Sequence, residues 1–431
     1  MKEIKRDLYL EKLINRQENG LIKIVTGIRR CGKSYLLDPI YKDYLLRNGV
    51  KEDHIIKIDL DERKNNKYLD PDVLDEYIRS LIKDNDMYYI ILDEIQKVED
   101  FESVLNLDIY VTGSNSKFLS SDIKTEFRGR GDEIRVLPLA FSEFVSAYDG
   151  SVDEAWDEYK IYGGLPRVLS QRTNEQKSKY LKDLFERTYL SDIIERHNIQ
   201  RVDVLDALVN ILSSSIGSLT NPKKLSDTFI SNSMKDVSIN TITSYINDLL
   251  DSFLIEKAER YDVKGKQYIS TPSKYYFSDI GLRNARLNFR QLEEDHIMEN
   301  IIYNELIYRG YNVDVGVVEI RENDIRKQTE VDFVCNQADK RYYIQSALSL
   351  PTREKTLQEE RPLMNINDNF KKIIVVKDKI RPWITEEGIS VIGLQEFLLN
   401  GKDDLYGKSK SVFYKGDNSR KCCKNVWDIR N

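Results

Sequence analysis

The chain has 431 residues, of which 32% are charged, and its 66 Lys and Arg against 72 Asp and Glu leave a net charge of −6. That length is too great for one ordinary core and predicts two to four domains at roughly 150 residues each. The near balance of charge excludes a uniformly basic coat for nucleic acid, while leaving room for a local basic patch.

Hydrophobic residues at 40% predict folded cores over most of the length. No run of about 18 apolar residues exists, so no membrane span is expected. The N-terminal stretch carries charges every few residues and lacks the apolar segment of a secretory signal, which points to the cytoplasm. Cys31, Cys335, Cys422 and Cys423 contain no Cys-x-x-Cys pair, which argues against a zinc or disulfide framework.

Leu8, Leu10, Leu13 and Ile14 fall at helical spacing and predict a first helix over 5–17. "LIKIVTG" (21–27) reads as a buried strand running into a tight turn. The apolar positions of "KSYLLDPIYKDYLLRNG" predict a helix closing at Gly49. A second strand, "HIIKIDLDE" (54–62), precedes a helix with Asp70 as its N-cap and Pro71 in its first turn. "MYYIILDE" (87–94), "DIYVTGSNS" (108–116) and "EIRVLPL" (133–139) are a third, fourth and fifth strand. Strands alternating with helices predict a parallel sheet. Helices follow from 141 to about 200, broken by "YGGLP" (162–166). In 201–290 two helices and two strands flanking the loop 263–273 describe a winged helix. A third unit runs over 291–400 with strands at "EVDFVCN", "RYYIQSAL" and "KKIIVVKD", and 401–431 reads as a tail.

"GIRRCGKS" (27–34) fits G-x-x-x-x-G-K-[ST] and sits between a strand and a helix, the context that phosphate binding requires. Gly27 and Gly32 let the backbone turn its N–H groups inward, and the helix N-terminus adds its dipole. Lys33 is placed to reach the outer phosphates of ATP and Ser34 to offer a hydroxyl to Mg2+. Ile28, Arg29, Arg30, Cys31 and Tyr35 complete the expected nucleotide-binding stretch. The third strand ends in Asp93 and Glu94: the first is expected to hold the Mg2+ shell and the second to polarise the attacking water. Asn115, or failing that Ser114, is expected to reach the γ-phosphate from the end of the fourth strand. Arg128 or Arg130, in the glycine-rich turn before the fifth strand, is the candidate arginine finger, in its own chain or across a subunit contact.

"IKIVTGIRRCGKSYLL", "IILDEIQKVEDFESVLN", "YVTGSNSKFL", "RGRGDEIRVLPLAFSEF" and "YGGLP" occur in that order. Together they resemble the bacterial and archaeal AAA-type P-loop ATPase family whose members carry a C-terminal domain of unknown function. The resemblance covers about residues 5 to 400. It implies an α/β fold: an ATPase core with helical lid (1–200), a winged helix (201–290) and a restriction-endonuclease-like domain (291–400). It assigns nucleotide binding to Gly27, Gly32, Lys33 and Ser34, the acidic pair to Asp93 and Glu94, and the sensor position to Asn115. It also raises the expectation of a homo-oligomer. One departure from the family pattern is the short crossover "DFESVLN" between Glu94 and the fourth strand, close to the minimum for a parallel connection.

The expected recognition helix of the winged unit offers Asn240, Thr241, Ser244 and Asn247 but no arginine, which argues against guanine readout. Lys223, Lys224, Lys264 and Lys266 permit contact with the backbone of duplex DNA. The C-terminal unit resembles PD-(D/E)xK nucleases. Glu299 and Asp332 match two of that motif's positions, but Gln345 and Ala347 stand where Glu-x-Lys is required, and neither Lys340 nor Lys355 is placed to substitute. A catalytic remnant is therefore expected at Glu299, Asp332 and Gln345. Three readings follow: an Mg-dependent ATPase that switches its C-terminal region, a nucleotide-gated adaptor for a protein or DNA partner, and an ATP-regulated nuclease.

Overall fold

Five short apolar runs make the first sheet: β1 Ile22–Thr26, β2 Ile55–Asp59, β3 Tyr89–Asp93, β4 Asp108–Thr112 and β5 Gly131–Arg135. The structure is a computed structural model that describes residues 3–98, 107–113, 131–231, 237–322 and 325–400. The strands lie in the order β2-β3-β4-β1-β5, all parallel. Every residue of β1, β3 and β4 is buried, as expected where helices cover both faces of a sheet. Ile24, Ile90, Leu92, Ile109 and Val111 pack with Leu74 and Ile78 of the helix Pro71–Leu81. That helix starts where the sequence places it: the Asp70 carboxylate accepts from the N–H groups of Asp72 (3.0 Å) and Val73 (3.3 Å), a cap worth about 1 kcal/mol.

A buried ion pair ties the two central strands. Lys23 of β1 contacts Asp108 of β4, and the other Asp108 oxygen accepts from the Tyr110 hydroxyl at 2.9 Å. A charge removed from water requires such partners. The helix after the glycine-rich loop is less regular than its apolar spacing suggests. It begins at Lys33–Tyr35, breaks at Asp38 (φ −144°, ψ 111°) and resumes at Lys42–Arg47. The ring of Pro39 clashes with an α-helical conformation at the residue before it.

Helices Phe141–Ala147, Val152–Tyr162, Asn174–Leu184 and Ser191–Arg196 follow. Helices Val202–Ser214, Pro222–Ser231 and Ile239–Asp251 then lead into a hairpin, β6 Ile255–Asp262 and β7 Gln267–Phe277. The loop between these strands is shorter than 263–273, because pairing continues to Asp262 opposite Gln267. Pro272 is tolerated in β7 because it falls where the register shifts between Ala258 and Arg260, a position that needs no ladder N–H.

The hairpin is part of a second sheet. Its other strands are β8 Asn312–Glu322, β9 Ile325–Gln337, β10 Lys340–Ala347, β11 Lys371–Val376, β12 Trp383–Ile384 and β13 Ser390–Gly393. The order is β12-β13-β11-β10-β9-β8-β6-β7, with β6 parallel to β8. The chain therefore joins the 255–277 hairpin to the C-terminal strands through backbone hydrogen bonds. β8 went unread in the sequence although Val313, Val315 and Val317 alternate, the period of a strand. Among the described residues no helix is long and apolar enough to cross a membrane.

Candidate functional site

β1 delivers the chain into Gly27, whose φ of 141° suits glycine alone. A Cβ there would stand 2.0 Å from the Val136 carbonyl oxygen just beyond β5. Arg30 (φ 66°) and Gly32 (φ 100°) complete the turn. Cys31 is buried and its Sγ donates to the Val136 carbonyl at 3.3 Å, so it acts as a packing group on the next strand. The Lys33 ammonium folds back over the loop and donates to the carbonyls of Gly27 (2.9 Å) and Ile28 (3.2 Å). An anionic phosphate oxygen is the stronger acceptor, since charge-assisted hydrogen bonds are about twice as strong as neutral ones. Ser34 and Tyr35 are exposed beside it.

Two strands away, Asp93 ends β3 and is buried. At about 4.8 Å per strand, β1 and β3 stand roughly 10 Å apart. β4 fills that space and supplies Thr112, a residue the sequence reading passed over. The Thr112 hydroxyl donates to Asp93 Oδ1 and accepts from the Glu94 N–H at 3.0 Å. Glu94 turns sharply out of the strand, with φ 55° and ψ 45°, a left-handed conformation that costs a non-glycine residue about 1 kcal/mol. Gln96 Nε2 donates to its carboxylate. Thr112 thus fixes the acid that is expected to hold metal and the backbone of the acid that is expected to activate water. A serine hydroxyl and a carboxylate are the hard oxygen donors that Mg2+ accepts, so Ser34 and Asp93 fit that ion.

The lid helices reach the same loop. The Tyr189 hydroxyl donates to the Arg29 carbonyl, and the Arg29 guanidinium lies 3.6 Å from Asp192. Pro166 packs 3.7 Å from where a Cβ on Gly32 would sit. Beside the loop is a largely apolar cavity of about 300 Å³, lined by Ile4, Tyr35, Leu139, Pro166 and Arg167 among others. Its size and lining suit a purine ring.

Behind Pro166, the two glycines of "YGGLP" lie against the helix Ile280–Arg286. The Gly164 N–H donates to Asp279 Oδ2 at 2.7 Å and the Leu282 N–H to Asp279 Oδ1 at 3.0 Å. Asn284 donates to the carbonyls of Lys160 and Ile161. Burial pushes the Asp279 carboxyl up to about 6, against the opposing pull of the N–H groups around it. Nothing local in the sequence marks Asp279, which meets its partner 115 residues away. Asn115, Ser114, Arg128, Arg130 and the crossover "DFESVLN" lie outside the described residues.

In the C-terminal sheet Glu299, Asp332 and Gln345 come together. The Asp332 N–H is 3.4 Å from Gln345 Oε1, and the Ser346 N–H donates to Asp332 Oδ2 at 2.8 Å. A lysine is also present, from the second strand of the winged unit and outside the 291–400 unit: Lys274 of β7, 2.9 Å from Glu299. On the helical unit, Asn240, Ser244 and Asn247 are exposed, as are Lys223, Lys224, Lys264 and Lys266.

A family model described as an AAA domain matches residues 19–145. A second, described as a domain of unknown function (DUF8612), matches residues 153–293. An uncharacterized protein of Haemophilus influenzae is 33% identical over 409 residues, covering 92% of this chain and 98% of that protein. The uncharacterized protein MJ1544 of Methanocaldococcus jannaschii is 27% identical over 355 residues, 77% of this chain and 75% of that protein. Among solved structures, the Walker-type ATPase PABY2304 of Pyrococcus abyssi matches at 15% identity with a TM-score of 0.47, covering 66% of this chain and 96% of that one.

Proposed function

The chain belongs to the family of bacterial and archaeal AAA-domain P-loop proteins that carry a domain of unknown function behind the core, and from that premise we propose that it binds ATP with Mg2+ and hydrolyses it. The observation that carries the reading is the shared C-terminal end of the parallel strands, where the Lys33 loop after β1 and the Thr112-braced Asp93–Glu94 pair after β3 flank β4. Lys33 exchanges two carbonyl acceptors for phosphate oxygens. The base fits the cavity beside Tyr35 and Pro166, with Arg167 at its rim. Ser34 and Asp93 would hold Mg2+, which when bound neutralises phosphate charge. Glu94 orients and deprotonates the attacking water.

The same reading includes a switch. Pro166 packs on the loop, and Gly164, two residues earlier, is held by Asp279 at the start of the helix Ile280–Arg286. A shift of the loop on nucleotide exchange has this short path to the 201–290 unit. Exposed Lys223, Lys224, Lys264 and Lys266 make duplex DNA the favoured partner for that unit, through phosphate contacts without base readout.

Steady-state ATP turnover with Mg2+ tests the proposal, using wild type, Glu94→Gln and Lys33→Ala. Turnover is expected in the wild type. Glu94→Gln should lower it by about a hundredfold or more, the usual contribution of a general base, with nucleotide still bound. Lys33→Ala should lose binding. Wild-type turnover no higher than that of Glu94→Gln would leave a nucleotide-gated adaptor. Stimulation by duplex DNA that fades as salt rises would support the DNA contact; turnover indifferent to DNA would turn the search to protein partners.

A further inference from the structure

Lys274 projects from β7 into the C-terminal sheet, and it is only 4% exposed. Its Nζ lies 2.9 Å from Glu299 Oε1, 2.5 Å from Glu330 Oε1 and 3.9 Å from Asp332 Oδ1. Glu299 comes from the helix Glu294–Tyr308, and the other two carboxylates from β9. The same Glu299 oxygen accepts from the Tyr276 hydroxyl at 2.6 Å. Three carboxylates crowded together repel one another, and a buried cluster of this kind needs a cation at its centre. The ammonium stands at that centre. Burial would depress its pKa, but Glu299, Asp332 and Glu330 outweigh that and hold it above the ordinary lysine value. Burial and the Glu299 charge push the Asp332 carboxyl up as well, above the ordinary carboxyl range, against the opposing pull of the Lys274 ammonium.

We propose that the Glu299–Glu330–Asp332 cluster is a cation site whose resident cation is the Lys274 ammonium, which excludes a divalent metal and locks β7 onto the C-terminal helix and sheet. The lock is reinforced along the same strand. Phe277, three residues on, exchanges two hydrogen bonds of 2.8 Å with the Asn300 side chain, so consecutive residues of one helix grip β7 by charge and by amide. A lysine that assists phosphodiester cleavage must face the attacked phosphate; this one is turned inward onto carboxylates.

The test is Mn2+ binding to nucleotide-free full-length protein, followed by electron paramagnetic resonance, together with thermal melts. Lys274→Ala is expected to bind one more Mn2+ per chain than wild type, to be stabilised by it, and to lose that extra site when Asp332→Asn is added. Equal Mn2+ binding by wild type and Lys274→Ala would overturn the proposal. Where Lys274→Ala does not fold, the double variant Lys274→Met/Glu330→Gln decides the matter. It removes the cation and one anion together, so it should melt above Lys274→Met alone. Failure to do so would show that charge pairing is not what Lys274 contributes.

Discussion

Replacing Thr112 by Val removes one hydroxyl at a fully buried position and leaves the side-chain shape nearly unchanged. Two groups lose a partner. The Glu94 N–H, bonded at 3.0 Å, loses this acceptor, and Asp93 Oδ1 loses this donor. A buried polar group left without a partner costs about 1–3 kcal/mol. Glu94 is half-buried and keeps some access to water, so its share falls toward the low end. The sum is about 2–4 kcal/mol of local stability. If about 1.4–2.8 kcal/mol of that appears as misplacement of Glu94 in the transition state, kcat falls about 10- to 100-fold. The KM for ATP should change little, because the Lys33 loop makes no contact with Thr112 that the substitution removes. The assay is steady-state turnover on protein whose circular dichroism matches wild type. A kcat within about twofold of wild type, in folded protein, would refute the claim that Thr112 positions the acidic pair.

Gly27→Ala places a methyl 2.0 Å from the Val136 carbonyl oxygen, where backbone has to move. It should abolish binding of a fluorescent ATP analogue and lower the melting temperature, whereas Gly20→Ala, with nothing within 4 Å and only its own φ of 73° to strain it, should leave binding intact. Asp279 gives a pH prediction. Its folded pKa of about 6 lies above the ordinary 3.8 of an aspartate, so the native state holds the proton more tightly. Its contribution to stability is then full below about pH 4 and declines as pH rises through 6. In Asp279→Asn this decline should be missing from denaturant melts taken between pH 4 and 7; a wild-type profile that rises relative to the variant would reverse the sign and refute the assignment.

The phosphate loop was legible in the sequence because its geometry is local. Gly27, Gly32, Lys33 and Ser34 are set by the turn between one strand and one helix, and eight consecutive residues contain it. The Asp70 cap and the apolar strands β1 to β4 were legible for the same reason. The break at Asp38 is also a local effect of Pro39, and helical spacing of leucines hid it. β8 alternates over Val313, Val315 and Val317, but Gly316 between them and the adjacent pair Val317 and Val318 broke the pattern and masked its length and place.

What no window of sequence contains is which strand stands beside which. Thr112 becomes the brace of Asp93 and Glu94 only because β4 inserts between β1 and β3, a consequence of pairing between strands far apart in the chain. Asp279 meets "YGGLP" across 115 residues. The search for a lysine among Glu299 and Asp332 looked along β10, where the nuclease-like spacing would put it. The ammonium comes instead from β7, which reaches that sheet through β6 and its parallel pairing with β8. The sequence by itself determined the local chemistry: a glycine-rich loop of the phosphate-binding pattern, an acidic strand end and an apolar core pattern. Only the tertiary structure decided which charges neutralise one another, because buried charges are paired by whatever the fold brings within about 4 Å, and sequence distance places no limit on that.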